Sequence, residues 1–197
     1  NGNLYALPSL NNQKIFKSID RGETWEQMSG FPNLGGYNFM ALGVDQNNVI
    51  YASTNDEGIY KSTDEGVTWT QLQDFRLFGT GPMDILFGND FSILTVKGID
   101  RGIWTSTGDI VSWQQKIGGF DPNTVTQDIN GNLYSGGSSG LYKSINAGAS
   151  WSNISSSYGV HIIRADSSGK VFLIEGGVNK PLFVSSNQGT SFTQINT

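Results

Sequence analysis

Residues 62–69 read Ser62-Thr63-Asp64-Glu65-Gly66-Val67-Thr68-Trp69, and this frame returns without gaps along the chain. The other copies are SIDRGETW from Ser18, STGDIVSW from Ser106, SINAGASW from Ser144 and SSNQGTSF from Ser185. The closing aromatics Trp25, Trp69, Trp113, Trp151 and Phe192 stand 44, 44, 38 and 41 residues apart. Each copy follows an apolar–aromatic pair (KIFKS, GIYKS, GIWTS, GLYKS, PLFVS). Further upstream lies a second short apolar run behind a turn: NGNLYA from Asn1, NNVIYA from Asn47, NDFSIL from Asn89, NGNLYS from Asn130 and SGKVFL from Ser168. A compound pattern met five times is a structural repeat, and it decides the fold before any single residue is read.

The unit contains strands only. In the second copy the elements are FMALGVD, VIYAST, GIYKST and TWTQLQ, all of strand length and punctuated by Asn, Gly or Asp turns. No stretch of ten residues carries a helical period. Four strands in about 40 residues, repeated, make a propeller blade, whose two faces are hidden only by stacking on its neighbours. The shared frame then reads as a hairpin-closing device. Asp20 and Asp64, with Asn146 and Asn187 in their slot, accept backbone N–H groups in a tight turn. Gly22, Gly66, Gly148 and Gly189 supply positive φ. Thr24, Thr68, Ser112, Ser150 or Ser191 starts the return strand, and the Trp or Phe packs onto the blade. Five carboxylate sites for calcium or acid–base chemistry fit poorly, because Asn replaces Asp twice and Gly108 replaces it once.

Composition narrows the function classes. Charged residues make up 15% of the 197, and the net charge is −5 with no Lys/Arg stripe, which disfavours nucleic acid as a partner. The chain has no cysteine, so disulfides and thiolate metal sites are excluded. No apolar run approaches the ~18 residues of a membrane-spanning helix, and membrane insertion is not expected. No metal or cofactor is called for: His161, in VHIIRAD, is the chain's lone histidine and reads as a satisfied strand residue.

The pattern S-x-D-x-G-x-x-W resembles the Asp-box, or BNR, repeat of sialidases, xyloglucan-degrading glycoside hydrolases, sortilin-type receptors and photosystem assembly factors. The resemblance implies an all-β propeller with one domain over 1–197 and blades near 1–30, 31–74, 75–118, 119–156 and 157–197. It places the box turns on the edge away from the usual binding face. The third copy departs furthest, with Gly108 and Ile110 in the Asp and Gly slots. The first blade lacks its innermost strand, since Asn1 falls inside a repeat. Either further blades in a parent chain complete a ring, or five blades close around a three-stranded first one. The first reading is preferred, because the unit begins at the Asn1-Gly2-Asn3 turn where an inner strand should precede it.

On the face opposite the boxes, loops between blades carry Phe31, Phe75, Phe120 and Tyr158, with Tyr37, Phe78, Arg76 and Asp121 nearby. Asp56, Glu57, Asp74, Asp100, Arg101, Glu175 and Lys180 stand in the surrounding loops. Exposed aromatics beside carboxylates suit sugar rings; an aromatic recurring in every blade equally suits a packing plug. Both readings stand at this point. Arg164 is expected to face the central channel. A sialidase would need three substrate arginines and a tyrosine–glutamate nucleophile, and the resemblance supplies no R-I-P motif here. No catalytic residue is assigned. The expectation is a non-catalytic recognition or structural module of a secreted or cell-surface protein, with a glycan or protein ligand. The alternative is part of a glycoside hydrolase propeller.

Overall fold

A computed structural model describes residues 2–7, 14–33, 35, 38–55, 58–73, 82–88, 91–96, 101–107, 112–157 and 159–195. Every element among them is a strand, and all pairing is antiparallel. The first sheet has three strands, β1 (Leu4–Ala6), β2 (Ile15–Ser18) and β3 (Glu26–Met28). Four four-stranded sheets follow in chain order. The second holds β4 (Phe39–Val44), β5 (Ile50–Thr54), β6 (Ile59–Ser62) and β7 (Thr70–Gln73). The third holds β8 (Pro82–Phe87), β9 (Phe91–Val96), β10 (Gly102–Thr107) and β11 (Gln114–Gly118). The fourth holds β12 (Pro122–Gln127), β13 (Leu133–Gly137), β14 (Gly140–Ser144) and β15 (Ser152–Ser155). The fifth holds β16 (Val160–Ala165), β17 (Val171–Glu175), β18 (Leu182–Ser185) and β19 (Thr193–Gln194).

Each sheet is a meander, so its strands pair in the order they leave the chain. The turn chemistry explains why. In the box turns the acceptor next to the Asp or Asn is the serine that opens the frame. Ser18, Ser62, Ser144 and Ser185 are all 1–2% exposed. Their Oγ atoms accept the amide N–H of Gly22, Gly66, Gly148 and Gly189 at 2.7–3.0 Å. Asp20, Asp64, Asn146 and Asn187 accept the amide of the residue four positions on at 2.9–3.0 Å. The glycines have φ of 81–94°, and the residues before them (Arg21, Glu65, Ala147, Gln188) are also left-handed at 54–62°. Two consecutive positive φ values make a primed turn, whose twist matches that of antiparallel strands.

The exchange between Asp and Asn is tolerated because the residue four positions on carries a hydroxyl. Asp20 and Asp64 accept the hydroxyls of Thr24 and Thr68 at 2.5 Å. Asn146 and Asn187 instead donate Nδ2–H to the hydroxyls of Ser150 and Ser191 at 2.9 and 2.8 Å. A hydroxyl both donates and accepts, so either partner closes the turn. In the third box Ser106 is buried as in the others, while residues 108–111 lie outside the described residues.

A second turn device joins the first and second strands of three sheets. Asp45, Asp128 and Asp166 each accept two backbone N–H groups at 2.8–2.9 Å. Asp45 and Asp128 also accept the buried hydroxyls of Tyr51 and Tyr134. These bonds satisfy phenols that would otherwise be desolvated without a partner.

Among the described residues the core falls into four clusters, one per seam between consecutive sheets. Ile15 and Met28 of the first sheet meet Phe39, Ala52 and Trp69 of the second. Tyr51 and Ile59 meet Ile85 and Trp113 of the third. Ile103 meets Val125, Leu133 and Trp151 of the fourth. Tyr134 and Leu141 meet Val160, Leu173 and Phe192 of the fifth. Trp69, Trp113, Trp151 and Phe192 therefore each plug the seam between their own sheet and the preceding one. Large apolar side chains such as Ile59, Ile103 and Leu141, each 0% exposed, each contribute on the order of 2 kcal/mol through such burial.

Candidate functional site: a cavity ringed by bulged inner strands

The first strand of every four-stranded sheet carries one extra residue against its neighbour. The register jumps between Phe39 and Ala41, Pro82 and Asp84, Pro122 and Thr124, and Val160 and Ile162. Met40, Met83, Asn123 and His161 are thus unpaired bulge residues at one height in four consecutive sheets. Bulges re-aim side chains and interrupt pairing, and they gather at barrel rims and binding sites. The bulge end of β4 pairs with Thr54, whereas Ser62, where the box begins, pairs with Ile50 at the other end. The bulges therefore lie on the face opposite the box turns.

Beneath them is a cavity of about 310 Å³ bordered by residues of all five sheets, including Tyr5, Met40, Asp84, Asn123, His161 and Arg164. Asn123 Nδ2 donates to the Val160 carbonyl at 2.7 Å and ties the fourth sheet to the fifth. Arg164 Nη1 donates to Thr124 Oγ1 at 2.6 Å and stands 3.5 Å from Asp84 Oδ2. Asp84 in turn accepts the Val125 amide at 3.0 Å and the Thr124 hydroxyl at 3.1 Å. Burial pushes the Asp84 carboxyl above the usual aspartate range, against the opposing pull of the Val125 N–H and the Arg164 guanidinium. With the Ile85 amide donating to Oδ1 at 3.0 Å, four groups hold this carboxylate, which joins the third, fourth and fifth sheets.

The sequence-derived residues distribute unevenly around this site. Arg164 lines the cavity as expected. His161 lies in β16 as the unpaired bulge residue, and it is exposed on the cavity wall. Phe120 is 3% exposed and stacks on Tyr142 at 4.4 Å between ring centroids. Phe31 lies edge-on to Phe39, Tyr60 and Trp69 at 4.6–5.1 Å. Both aromatics pack in the seams, Phe120 buried and Phe31 half-buried. Asp121 forms an ion pair with Arg101 at 3.5 Å, half-exposed, bridging the third and fourth sheets. Tyr37, Phe75, Arg76, Phe78 and Tyr158 lie outside the described residues, as do Asp56, Glu57, Asp74 and Asp100. The bulge residues Met40 and Asn123 escaped the sequence reading altogether. Their signal is a side-chain alternation that slips by one within an inner strand.

No known protein-family profile matches the chain, and neither does any curated protein sequence. Among solved structures it is similar to YCF48 bound to a D1 peptide, at 18% identity over 91% of this chain and 60% of that one (TM-score 0.64). It is similar to the GH74 enzyme of Niastella koreensis, at 22% identity over 92% of this chain and 34% of that one (TM-score 0.72). A third similar structure comes from a nidogen/laminin complex, at 16% identity over 93% and 75% of the two chains (TM-score 0.75). The chain thus spans 60% and 34% of the first two proteins it resembles. At such identities what is shared is the backbone arrangement. The fold of this chain is that of a β-propeller.

Proposed function

We propose that the chain is a non-catalytic recognition module whose ligand sits at the bulge-ringed cavity on the face opposite the box turns. The carrying observation is the alignment of four inner-strand bulges at one height, which brings Asn123, His161 and Met40 to one rim. In this reading the three-stranded first sheet is a fifth blade, and the recurring turns are Asp-boxes. The parent protein is secreted or displayed at a cell surface.

Two features favour recognition over chemistry. Asp84 is the carboxylate among the described cavity residues, and its oxygens are committed to backbone, hydroxyl and guanidinium groups. Glycoside hydrolysis needs a pair of carboxylates flanking the bond. A polypeptide ligand fits this rim better than a glycan, because amide, imidazole and thioether groups stand together there and Phe120 is packed away. Two of the similar structures come from polypeptide complexes, YCF48 bound to a D1 peptide and a nidogen/laminin complex. The glycoside hydrolase reading stays as the second one, resting on the likeness to GH74 enzymes.

The test is binding of the chain to peptide and glycan arrays, repeated with an Asn123→Ala/His161→Ala double variant and with Ile145→Ser on the box rim. Peptide binding lost in the double variant and kept in Ile145→Ser supports the proposal. Binding indifferent to the double variant refutes it, and cleavage of an arrayed glycan moves the assignment to the hydrolase.

A further inference from the structure

The bulge in β16 puts its side chains out of step. Val160 and Ile163 stand three residues apart and are both 0% exposed, while His161 and Arg164, also three apart, both border the cavity. Regular alternation would send residues three apart to opposite faces of a sheet. The unpaired residue at His161 removes that conflict and brings an imidazole and a guanidinium to the same space. Neither group fills the core: His161 is exposed, and the Arg164 side chain is 59% exposed.

The guanidinium is held by one nitrogen. Nη1 donates to Thr124 Oγ1 at 2.6 Å and to the Ile163 carbonyl at 2.7 Å, which uses both of its hydrogens. Thr124 passes its own hydroxyl hydrogen to Asp84 Oδ2 at 3.1 Å, and Asp84 stands 3.5 Å from the same Nη1. Thr124 and Asp84 belong to the fourth and third sheets, each of which has a neighbour on either side within this chain. The head group is therefore placed by interior sheets. Among the described residues Nε and Nη2 take no acceptor, and the His161 imidazole takes no partner. Asp84 cannot turn to serve them, because its two oxygens already receive the Ile85 and Val125 amides and the Thr124 hydroxyl.

We infer that the free Nε–Nη2 edge of Arg164, with His161 on the same cavity wall, is the subsite that takes a carboxylate of the polypeptide ligand. The inference rests on the reading of this cavity as a recognition site. The two N–H groups on that edge project side by side, and a planar carboxylate accepts both at once as a charge-assisted pair. A neutral carbonyl offers one oxygen to the pair and no opposite charge. Because Nη1 is tethered, the fork is already oriented and little side-chain freedom is lost when the ligand arrives. Thr124 and Asp84 act through Nη1 and are positioning residues. The carboxylate is either the C-terminus of the polypeptide or an Asp or Glu side chain within it.

A titration and a peptide array on the intact chain test it. Acetate is the probe of the titration, followed through the arginine Nε–H signals by NMR with sodium chloride of equal ionic strength as control. The Arg164 signal is expected to move saturably with acetate, and the Arg21 signal on the box rim to stay in place. An Arg164 signal that answers acetate no more than Arg21 does overturns the inference. This arm uses the parent chain alone, so it stands whatever the variants do to folding. On the array each peptide is presented as a free C-terminal acid and as its amide, with Asp and Glu or with Asn and Gln inside. Retained peptides are expected to bind at least about tenfold more weakly once the carboxylate is removed, and the form that matters says whether a chain end or a side chain supplies it. Arg164→Gln binds acid and neutral forms alike, and Arg164→Lys, which keeps the charge without the fork, restores only part of the preference. Binding that is lost in the Asn123→Ala/His161→Ala variant yet ignores both the ligand carboxylate and Arg164→Gln overturns this inference and leaves the recognition reading standing. Binding indifferent to that double variant, or an array that retains no peptide, refutes the recognition reading and this inference with it.

Discussion

Replacing Ser62 by alanine isolates the contribution of a single hydroxyl to the repeat. Ser62 Oγ accepts the Gly66 amide at 2.7 Å and donates to Asp64 Oδ1 at 2.7 Å, in a turn where both Ser62 and Gly66 are buried. Alanine leaves the Gly66 N–H desolvated with no acceptor, a loss of about 1–3 kcal/mol. Gly66 cannot rotate away, because the turn needs its φ of 91° and the Trp69 indole N–H is bonded to its carbonyl at 3.2 Å. A central value of about 2 kcal/mol in a chain of this size lowers the melting temperature by about 4–8 °C. The matched control is Asp64→Asn, because Asn146 and Asn187 close the fourth and fifth boxes in that form. It is expected to stay within about 0.5 kcal/mol of the parent, as surface substitutions usually do. Thermal melts followed by circular dichroism, with urea titrations for the free energies, measure both. The reasoning fails if Ser62→Ala melts with the parent chain, or if Asp64→Asn falls as far as the serine variant.

Asp20 and Asp64 are each held at about 2 by bonds from the Thr24 and Thr68 hydroxyls and amides, with Ser18 and Ser62 adding to the effect. A depressed carboxyl stabilises the fold above its unfolded pKa of 3.8, and that stability disappears as pH falls through about 2. Urea titrations of the Asp20→Asn/Asp64→Asn double variant should therefore show a shallower decline between pH 4 and 2 than the parent, and a decline of equal slope would refute it. Asp84 carries the opposite sign, since its raised pKa makes ionisation unfavourable to folding. Asp84→Asn is expected to be neutral or mildly stabilising at pH 7, and Asp84→Ala to lose about 1–3 kcal/mol by orphaning the Val125 amide, as chemical denaturation would show. Gly102→Ala places a methyl 1.9 Å from the Ile117 carbonyl oxygen at a φ of 144°, where backbone must move, and should lose about 3 kcal/mol. At Gly119 the φ of 85° is met by open space, so Gly119→Ala should lose only about 1 kcal/mol. Equal losses at the two positions would show that crowding is not the cause.

The hairpin architecture was readable because its signals are local. An Asp or Asn, a Gly two residues on and an aromatic at the end of eight residues lie within one turn. The structure adds the serine as an acceptor and the second left-handed residue, at Arg21, Glu65, Ala147 and Gln188, which are types that give no hint of positive φ. The Asp45, Asp128 and Asp166 turns were hidden because each aspartate precedes the Asn or Ser that drew attention. The site was less readable than the fold. A bulge is a count of two residues against one on another strand, so VHIIRAD by itself does not show that His161 is the unpaired residue. Phe31 and Phe120 were ambiguous for a related reason: recurrence in every repeat shows that a residue is needed, and only the neighbouring sheet shows whether its ring is covered.

The division of the core among seams governs how such a chain comes apart and how it can grow. Each interior repeat holds half of two hydrophobic clusters, so one excised alone retains neither. Loss of one sheet then removes half of a cluster from each sheet beside it, so melting spreads from neighbour to neighbour. Duplication of an interior repeat delivers a new sheet together with the junction that stabilises it. Lengthening by whole units therefore leaves every existing contact intact, whereas insertion of half a unit would strand one face of a cluster in water.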